Sequence, residues 1–325
     1  MGERLFQIIL VEKEGLRNVK KTRKIIIDTD PGIDDAVAIA AALFDERLNV
    51  RLFTTVAGNV SVDKVTKNLL KLLAFWGKEV PVAIGADRPL LREAINASDI
   101  HGSTGMDGYE FPESKYELLT KNHAVLEMYK VLMESKEKTT IVGIGPLTNI
   151  ALLLRIYPEC VERIEELVIM GGSLGRGNYG ILSEFNIAAD PEAAKIVFES
   201  KIPLTMVSLD VGEKALILPE DRMRIKKMNK TGDMIDHLFS KYRGGSLDTG
   251  LKMYDGCAVA YLLAPEMFEV KESYVAIETQ GSLTAGATLV DLAGYLGKEI
   301  NCRVCVDIEE EQFRQWFIEA IEKCD

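Results

Sequence analysis

From Lys24 onward the chain alternates short apolar runs with longer stretches whose apolar positions recur every three or four residues. Ile25 to Ile27, Val50 to Val56, Val80 to Ile84, Thr139 to Ile144, Leu167 to Met170 and Leu204 to Ser208 read as strands. They are β-branched or continuously apolar, as strands buried on both faces of a parallel sheet are. Between them lie helical patterns: Ala36 to Phe44, Val62 to Trp76, His123 to Met133, Leu147 to Arg155, and Asp190-Pro191 to Glu199. The stretch Val62 to Trp76 is the plainest, with apolar residues at 62, 65, 69, 72, 73 and 76 forming one stripe. From 219 to 263 the pattern is helical with a break at Gly244-Gly245, and the tail carries strands near 274–278 and 302–307 and a helix near 309–322.

This βαβα order predicts an α/β fold, a single domain with a mostly parallel central sheet flanked by helices. No Pro/Ser-rich linker or internal repeat divides it. Ligands of such folds bind outside the carboxyl ends of the strands. Asp28–Asp35, Asn59, Ile144 and Gly171–Asn186 all follow predicted strands, so they converge on one edge. The segment from 85 to about 120, rich in Gly, Asp and Ser, is long for a compact domain and reads as functional or mobile.

Composition narrows the partner class. The 325 residues carry a net charge of −11, which disfavours a nucleic acid polymer or an anionic membrane surface and suits a small neutral ligand. No apolar run approaches the ~20 residues of a membrane span. Five widely spaced cysteines suit a reducing cytoplasm. Cys302 and Cys305 form a C-x-x-C, but on a strand residues three apart face opposite sides, and no second pair completes a zinc site.

The densest chemistry is Asp28-Thr-Asp30-Pro-Gly-Ile-Asp34-Asp35, four carboxylates in eight residues between a strand and a helix. Each raises the cost of ionising its neighbours unless a cation sits among them. Capping and turn formation use two or three of them, with Asp34 and Asp35 at the N-cap and first turn. Clustered oxygens beyond that number point to a hard divalent cation.

That octapeptide resembles the signature of the nucleoside hydrolases, the inosine-uridine preferring N-ribohydrolase family. Thr54-Thr-Val-Ala-Gly-Asn59, Ile100-His-Gly102, Gly145-Pro-Leu-Thr-Asn149, Met170-Gly-Gly172, Glu184-Phe-Asn186-Ile-Ala-Ala-Asp-Pro-Glu192 and Asp255-Gly-Cys-Ala-Val-Ala260 recur in the family's order. The resemblance runs from about residue 24 to the C-terminus and implies a Rossmann-like nucleoside hydrolase fold. It implies Ca²⁺ held by Asp30, Asp35, Asp255 and the backbone carbonyl of Ile144, where several family members have threonine. By the same resemblance, a water on that ion attacks C1′ of a ribonucleoside with Asp30 as general base, releasing base and ribose. Asp34, Asn59 and Asn186 look like ribose hydroxyl binders, Asn178 and Glu184 like contacts to the 5′-hydroxyl, and Met170 packs beside the sugar. His101 stands where the family has a pocket histidine, and Tyr242 is placed to close over the base. Tyr254 departs from the pattern, because many members carry a leaving-group acid, histidine, there. A tyrosine offers a proton, a stacking ring or only a wall. The family also implies a homodimer or homotetramer and a place in nucleoside salvage or catabolism.

Two other readings compete. A haloacid-dehalogenase-type phosphatase also has D-x-D after its first strand, with Asp28 as nucleophile, but Pro31-Gly32 replaces its Gly-Thr and Asp34-Asp35 has no role in it. A nucleoside-binding homologue without catalysis would explain the tyrosine at 254 but not the retained carboxylates. Residues 1–23 read as an N-terminal extension preceding the 24–325 domain. Glu12-Lys-Glu-Gly15 is compatible with a purine-rich ribosome-binding sequence and Val19 with a start codon. Mass spectrometry of protein from its native host checks this reading: a mature chain starting near residue 19 is expected, and an intact Met1 peptide would rule it out.

Overall fold

The computed structural model describes residues 22–324. Twelve strands are found in that range: β1 Arg23–Thr29, β2 Leu48–Thr55, β3 Val82–Ile84, β4 Thr139–Gly143, β5 Ile164–Met170, β6 Leu204–Val207, β7 Leu216–Ile217, β8 Gly245–Ser246, β9 Gly250–Lys252, β10 Phe268–Ile277, β11 Thr288–Asp291 and β12 Cys302–Ile308. Nine of them form one sheet in the order β11-β10-β12-β6-β5-β4-β1-β2-β3. The run from β12 to β3 is parallel throughout, and β10 enters antiparallel beside β12. β1 is an interior strand, paired to β2 on one side and β4 on the other.

Alternation along β1 places Ile25 and Ile27 in one apolar core and Ile26 in the other. The first core is closed by helices Ile33–Phe44, Val62–Trp76, Lys230–Phe239, Asp255–Leu263 and Glu310–Glu322. The second is closed by Ala124–Glu134, Thr148–Ile156 and Pro191–Phe198. Helices therefore cover both faces, as the continuous apolar strands require. Cys302 enters the second core and Cys305 the first, so the C-x-x-C straddles the sheet; all five cysteines are buried and none forms a disulfide among the described residues. Among the described residues no helix is long and apolar enough to cross a membrane.

Several elements differ from the sequence reading. The first helix begins at Ile33, with Gly32 as N-cap, so Asp34 and Asp35 fall at its second and third positions. Asp35 closes the turn by accepting the Gly32 N–H at 2.8 Å. The 219–263 region is not continuously helical: helices Pro219–Ile225, Lys230–Phe239 and Asp255–Leu263 enclose a small sheet in the order β7-β9-β8. Its two- and three-residue strands are too short to display a period. β10 starts six residues earlier than the pattern indicated, because Glu269 to Glu272 are all exposed and three of the four are charged, which hides the strand alternation. β11 and the short helices Ser98–His101 and Phe185–Ala189 lie inside stretches that read as loops. His123 is an N-cap whose Nδ1 accepts the Val125 N–H. Residues 1–21 of the expected extension lie outside the described residues.

Asp45 ties the end of the first helix to the end of the last one. Its carboxylate accepts from Arg47 Nε and Nη2 at 2.8 Å each and from Lys323 Nζ at 2.9 Å. Partial burial opposes ionisation, but the bonds from Arg47 and Lys323 outweigh it and hold the carboxyl well below the usual carboxylate range. Asp45→Asn is expected to lower unfolding stability at neutral pH by about 1–2 kcal/mol. Because the folded-state pKa is depressed, that contribution is present above the unfolded value of about 3.9 and fades as pH falls through the folded one. Urea unfolding of both proteins at pH 7 and in acid measures the narrowing gap.

Candidate active site

The carboxyl ends of β1, β2, β4 and β5 deliver Asp30, Asn59, Ile144 and Met170 to a single cavity of about 430 Å³. Asp34 and the short helix Phe185–Ala189 with its N-cap Glu184 add to one wall. Tyr242, Tyr254 and Asp255 add to another, and His101 lies at the N-terminal turn of the first helix. All thirteen residues singled out from sequence gather here except Asp35, which lies directly behind the lining against Asn59.

Asp34, Asp35 and Asp255 each present a carboxylate oxygen within 4.8 Å of the other two, all buried. Asp30 stands beside them. Its Oδ2 accepts the Asn59 N–H at 2.7 Å, while its Oδ1 is buried and, among the described residues, without a hydrogen-bond partner. Space for this approach comes from Gly58 and Gly145, where a Cβ would collide with the Asp30 carboxylate. Asn59 Nδ2 bridges the Asp30 carbonyl at 3.1 Å and Asp35 Oδ2 at 3.3 Å. Thr29 Oγ1 donates to Asp35 Oδ1 at 2.6 Å.

The electrostatics are strained in one direction. Burial, then the Asp35 and Asp34 charges, push Asp30 well above the carboxylate range. Burial raises Asp34 to about 6, the backbone amides of Asp255 and Tyr254 opposing it. Burial and Asp34 raise Asp35, and burial with all three neighbours raises Asp255 further still. A cation among them reverses every one of these shifts. The donors are all oxygen, one of them is an orphan, and the Ile144 carbonyl completes the lining. The residues therefore fit a hard divalent ion.

Behind the cluster, Asp28 Oδ1 accepts from Thr54 Oγ1 at 2.5 Å and Asn149 Nδ2 at 2.8 Å, and burial raises its carboxyl to about 7. On the opposite wall, burial also raises Glu184 to about 7, against amide N–H groups of Asn186, Gly172 and Ile187. Asn186 Nδ2 reaches the Met170 carbonyl at 3.1 Å and the Ile144 carbonyl at 3.5 Å. Asn178 Oδ1 caps Phe185 N at 2.9 Å.

His101 lines the cavity, as a pocket histidine would. Its Nδ1 accepts the Ile33 N–H at 3.1 Å, so the ring proton sits on Nε2, and burial lowers its pKa to about 4. At neutral pH it is an uncharged donor packed 5.5 Å from the Tyr242 ring. Tyr254 donates its hydroxyl to Glu213 at 2.9 Å; burial and that carboxylate hold its proton above the usual phenol range.

Residues 25–315 match the family described as inosine-uridine preferring nucleoside hydrolase. The chain belongs to that family. This nucleoside hydrolase is 51% identical over 296 residues to the non-specific ribonucleoside hydrolase RihC of Salmonella typhi, covering 91% of this chain and 96% of that protein. Its fold is similar to that of an inosine-guanosine nucleoside hydrolase, with TM-score 0.87, 31% identity, and 92% and 98% of the two chains covered. It is also similar to a purine-preferring ribonucleoside hydrolase from Gardnerella vaginalis, with TM-score 0.86, 27% identity, and 93% and 99% covered. Membership in this family leaves the phosphatase alternative without support.

Glu213, Lys252 and Arg243 also line the hydrolase's cavity and were not foreseen. They belong to no recurring block, and each reads in sequence as an ordinary surface charge. Metal dependence has a readout independent of turnover. Chelation is expected to lower the wild-type melting temperature, and added Ca²⁺ to restore it. Asp255→Asn is expected to melt higher than wild type without metal and to lose the Ca²⁺ response; calorimetry with and without chelator measures both.

Proposed function

We propose that this protein hydrolyses the N-glycosidic bond of purine and pyrimidine ribonucleosides, giving free base and ribose. The carrying observation is the buried carboxylate cluster beside Asp30, set at the carboxyl edge of the sheet in a chain of this family. The identity to a relative named as non-specific supports breadth across bases.

Asp35, Asp255, Asp30 and the Ile144 carbonyl are the proposed Ca²⁺ ligands, with Asp34 close enough to share the charge. The bound ion would acidify an adjacent water and anchor the ribose hydroxyls. Asp30 takes the proton from the attacking water through its unpartnered Oδ1. The water oxygen bonds to C1′, the C1′–N bond breaks, and its electron pair leaves with the base, which takes up a proton from solvent while Asp30 returns the water's proton to solvent. As positive charge spreads over C1′ and the ring oxygen, the surrounding carboxylates stabilise it. Asn59, Asn186 and Asp34 hold the ribose hydroxyls, Glu184 and Asn178 the 5′-hydroxyl, and Met170 sets the sugar's depth. Tyr242, His101 and Tyr254 surround the base; His101, neutral, donates from Nε2 rather than acting as an acid. Cysteines without disulfides suit a reducing cytoplasm, and the family resemblance supports a homodimer or homotetramer acting in nucleoside salvage or catabolism.

Reducing-sugar release from a panel of ribonucleosides with Ca²⁺ tests the proposal. Ribose release is expected with the wild type, with a loss of about 10³-fold or more in Asp30→Asn, on the scale of a lost general base. Inosine is expected to outpace 2′-deoxyinosine by about 10²-fold or more, since a site built around a hydroxyl rejects its absence. Nucleoside binding without turnover would favour the non-catalytic reading, and no release from any ribonucleoside would overturn the proposal.

A further inference from the structure

The base end of the cavity contains a contact that the proposed chemistry leaves unused. Tyr254 is the N-cap of helix Asp255–Leu263, and its ring lies over Gly212 in the short helix Leu209–Lys214. A Cβ at Gly212 would stand 2.9 Å from Tyr254 Cε1 and 3.1 Å from Cγ, and closer still to Cδ1. The φ of Gly212 is not positive. The glycine is therefore required for space and not for backbone conformation. The next residue, Glu213, accepts the Tyr254 hydroxyl at 2.9 Å through Oε1. Its other oxygen is ion-paired with Lys252 on β9. One short helix thus supplies both the space for this ring and the acceptor for its hydroxyl, and β9 supplies the cation that holds the acceptor.

We propose that Gly212, Glu213 and Lys252 are positioning residues that fix the Tyr254 ring as one wall of the base compartment, so that this residue acts through its ring and not by giving its hydroxyl proton to the leaving base. The inference rests on the hydrolase reading above and concerns how that site handles the base. A phenol has one proton, and here that proton is directed at Glu213. Lys252 holds the Glu213 carboxylate in place as an acceptor. The Glu213–Lys252 pair is part-exposed, with side-chain exposures of 41% and 31%, so little stability comes from it. Its effect is on placement. Ring placement is where a small error is costly, since misplacement of about 1 Å lowers rates by about 10²-fold. Tyr242 is seated in the same manner: a Cβ at Gly244 would meet its ring and hydroxyl.

The test is a mutant cycle between Glu213→Ala and Tyr254→Phe, read as kcat and KM for inosine and uridine. If the hydroxyl serves only to anchor the ring, both single variants and the double variant lose the same factor in kcat/KM, about tenfold, because each breaks the same bond. Glu213→Gln, which keeps an oxygen acceptor, is expected to recover most of the loss. Gly212→Ala is expected to lower kcat/KM by about 10- to 100-fold and to have no further effect in a Tyr254→Ala background. Melting curves by circular dichroism establish that each variant is folded, and the part-exposed Glu213 keeps the test decisive should Gly212→Ala fold poorly. A Tyr254→Phe loss at least tenfold beyond that of Glu213→Ala would overturn the proposal, since the hydroxyl would then serve the reaction itself. So would Glu213 and Gly212 variants indistinguishable from an active wild type. A wild type that releases no ribose overturns the hydrolase reading and this inference with it.

Discussion

Mutual repulsion among interior carboxylates is the constraint around which this molecule is organised. Asp30, Asp34, Asp35 and Asp255 are each pushed toward protonation by burial and by one another. A fold gains no stability from such a cluster. It persists because the surrounding groups hold it in place: the Asn59 amide between Asp30 and Asp35, the Thr29 hydroxyl on Asp35, and the Asp35 bond to Gly32 that also starts the first helix. The same atoms that begin a helix hold the charges ready for a cation. Local structure and chemistry are here a single arrangement.

The sheet supplies the rest of the geometry. β1 lies inside the sheet, and parallel neighbours on either side bring Asn59 and Ile144 level with Asp30. Asp255 comes from more than 200 positions later in the chain, yet its helix packs on the first helix, whose buried face is largely alanine and admits close approach. Asn186 links the ends of β4 and β5 through the Ile144 and Met170 carbonyls. The sugar side of the cavity is thus bounded by atoms tied to the most deeply paired strands.

Much of this could be read in the sequence, for physical reasons. Ile25 to Ile27 announced a strand buried on both faces, and four aspartates straight after it announced charge that no core tolerates alone. Most of the thirteen candidate residues lie in or beside blocks with recognisable order, and folding brings them to one cavity. What escaped was of two kinds. Short elements such as β7, β8 and β9, and the helix Ser98–His101, are set by tertiary contact and carry no period. Lone charges such as Glu213 and Lys252 gain meaning only when folding places them beside Tyr254. His101 shows a third limit. Its position marked it as part of the pocket, but its protonation state follows from the Ile33 N–H that occupies Nδ1, a bond no pattern of residues discloses.

The two ends of the cavity are built to very different standards of permanence. Asp30, Asp34 and Asp35 follow directly on β1, which is paired on both sides and buried in both cores, so the backbone behind them is among the last to open. The base end rests on strands of two and three residues bounded by glycines. Such a segment opens at small cost and tolerates replacement. Under the proposed assignment of sugar to the carboxylate end and base to the other, sequence drift can rework which bases are admitted while the carboxylate end stays fixed, which gives this architecture evolvability in substrate choice.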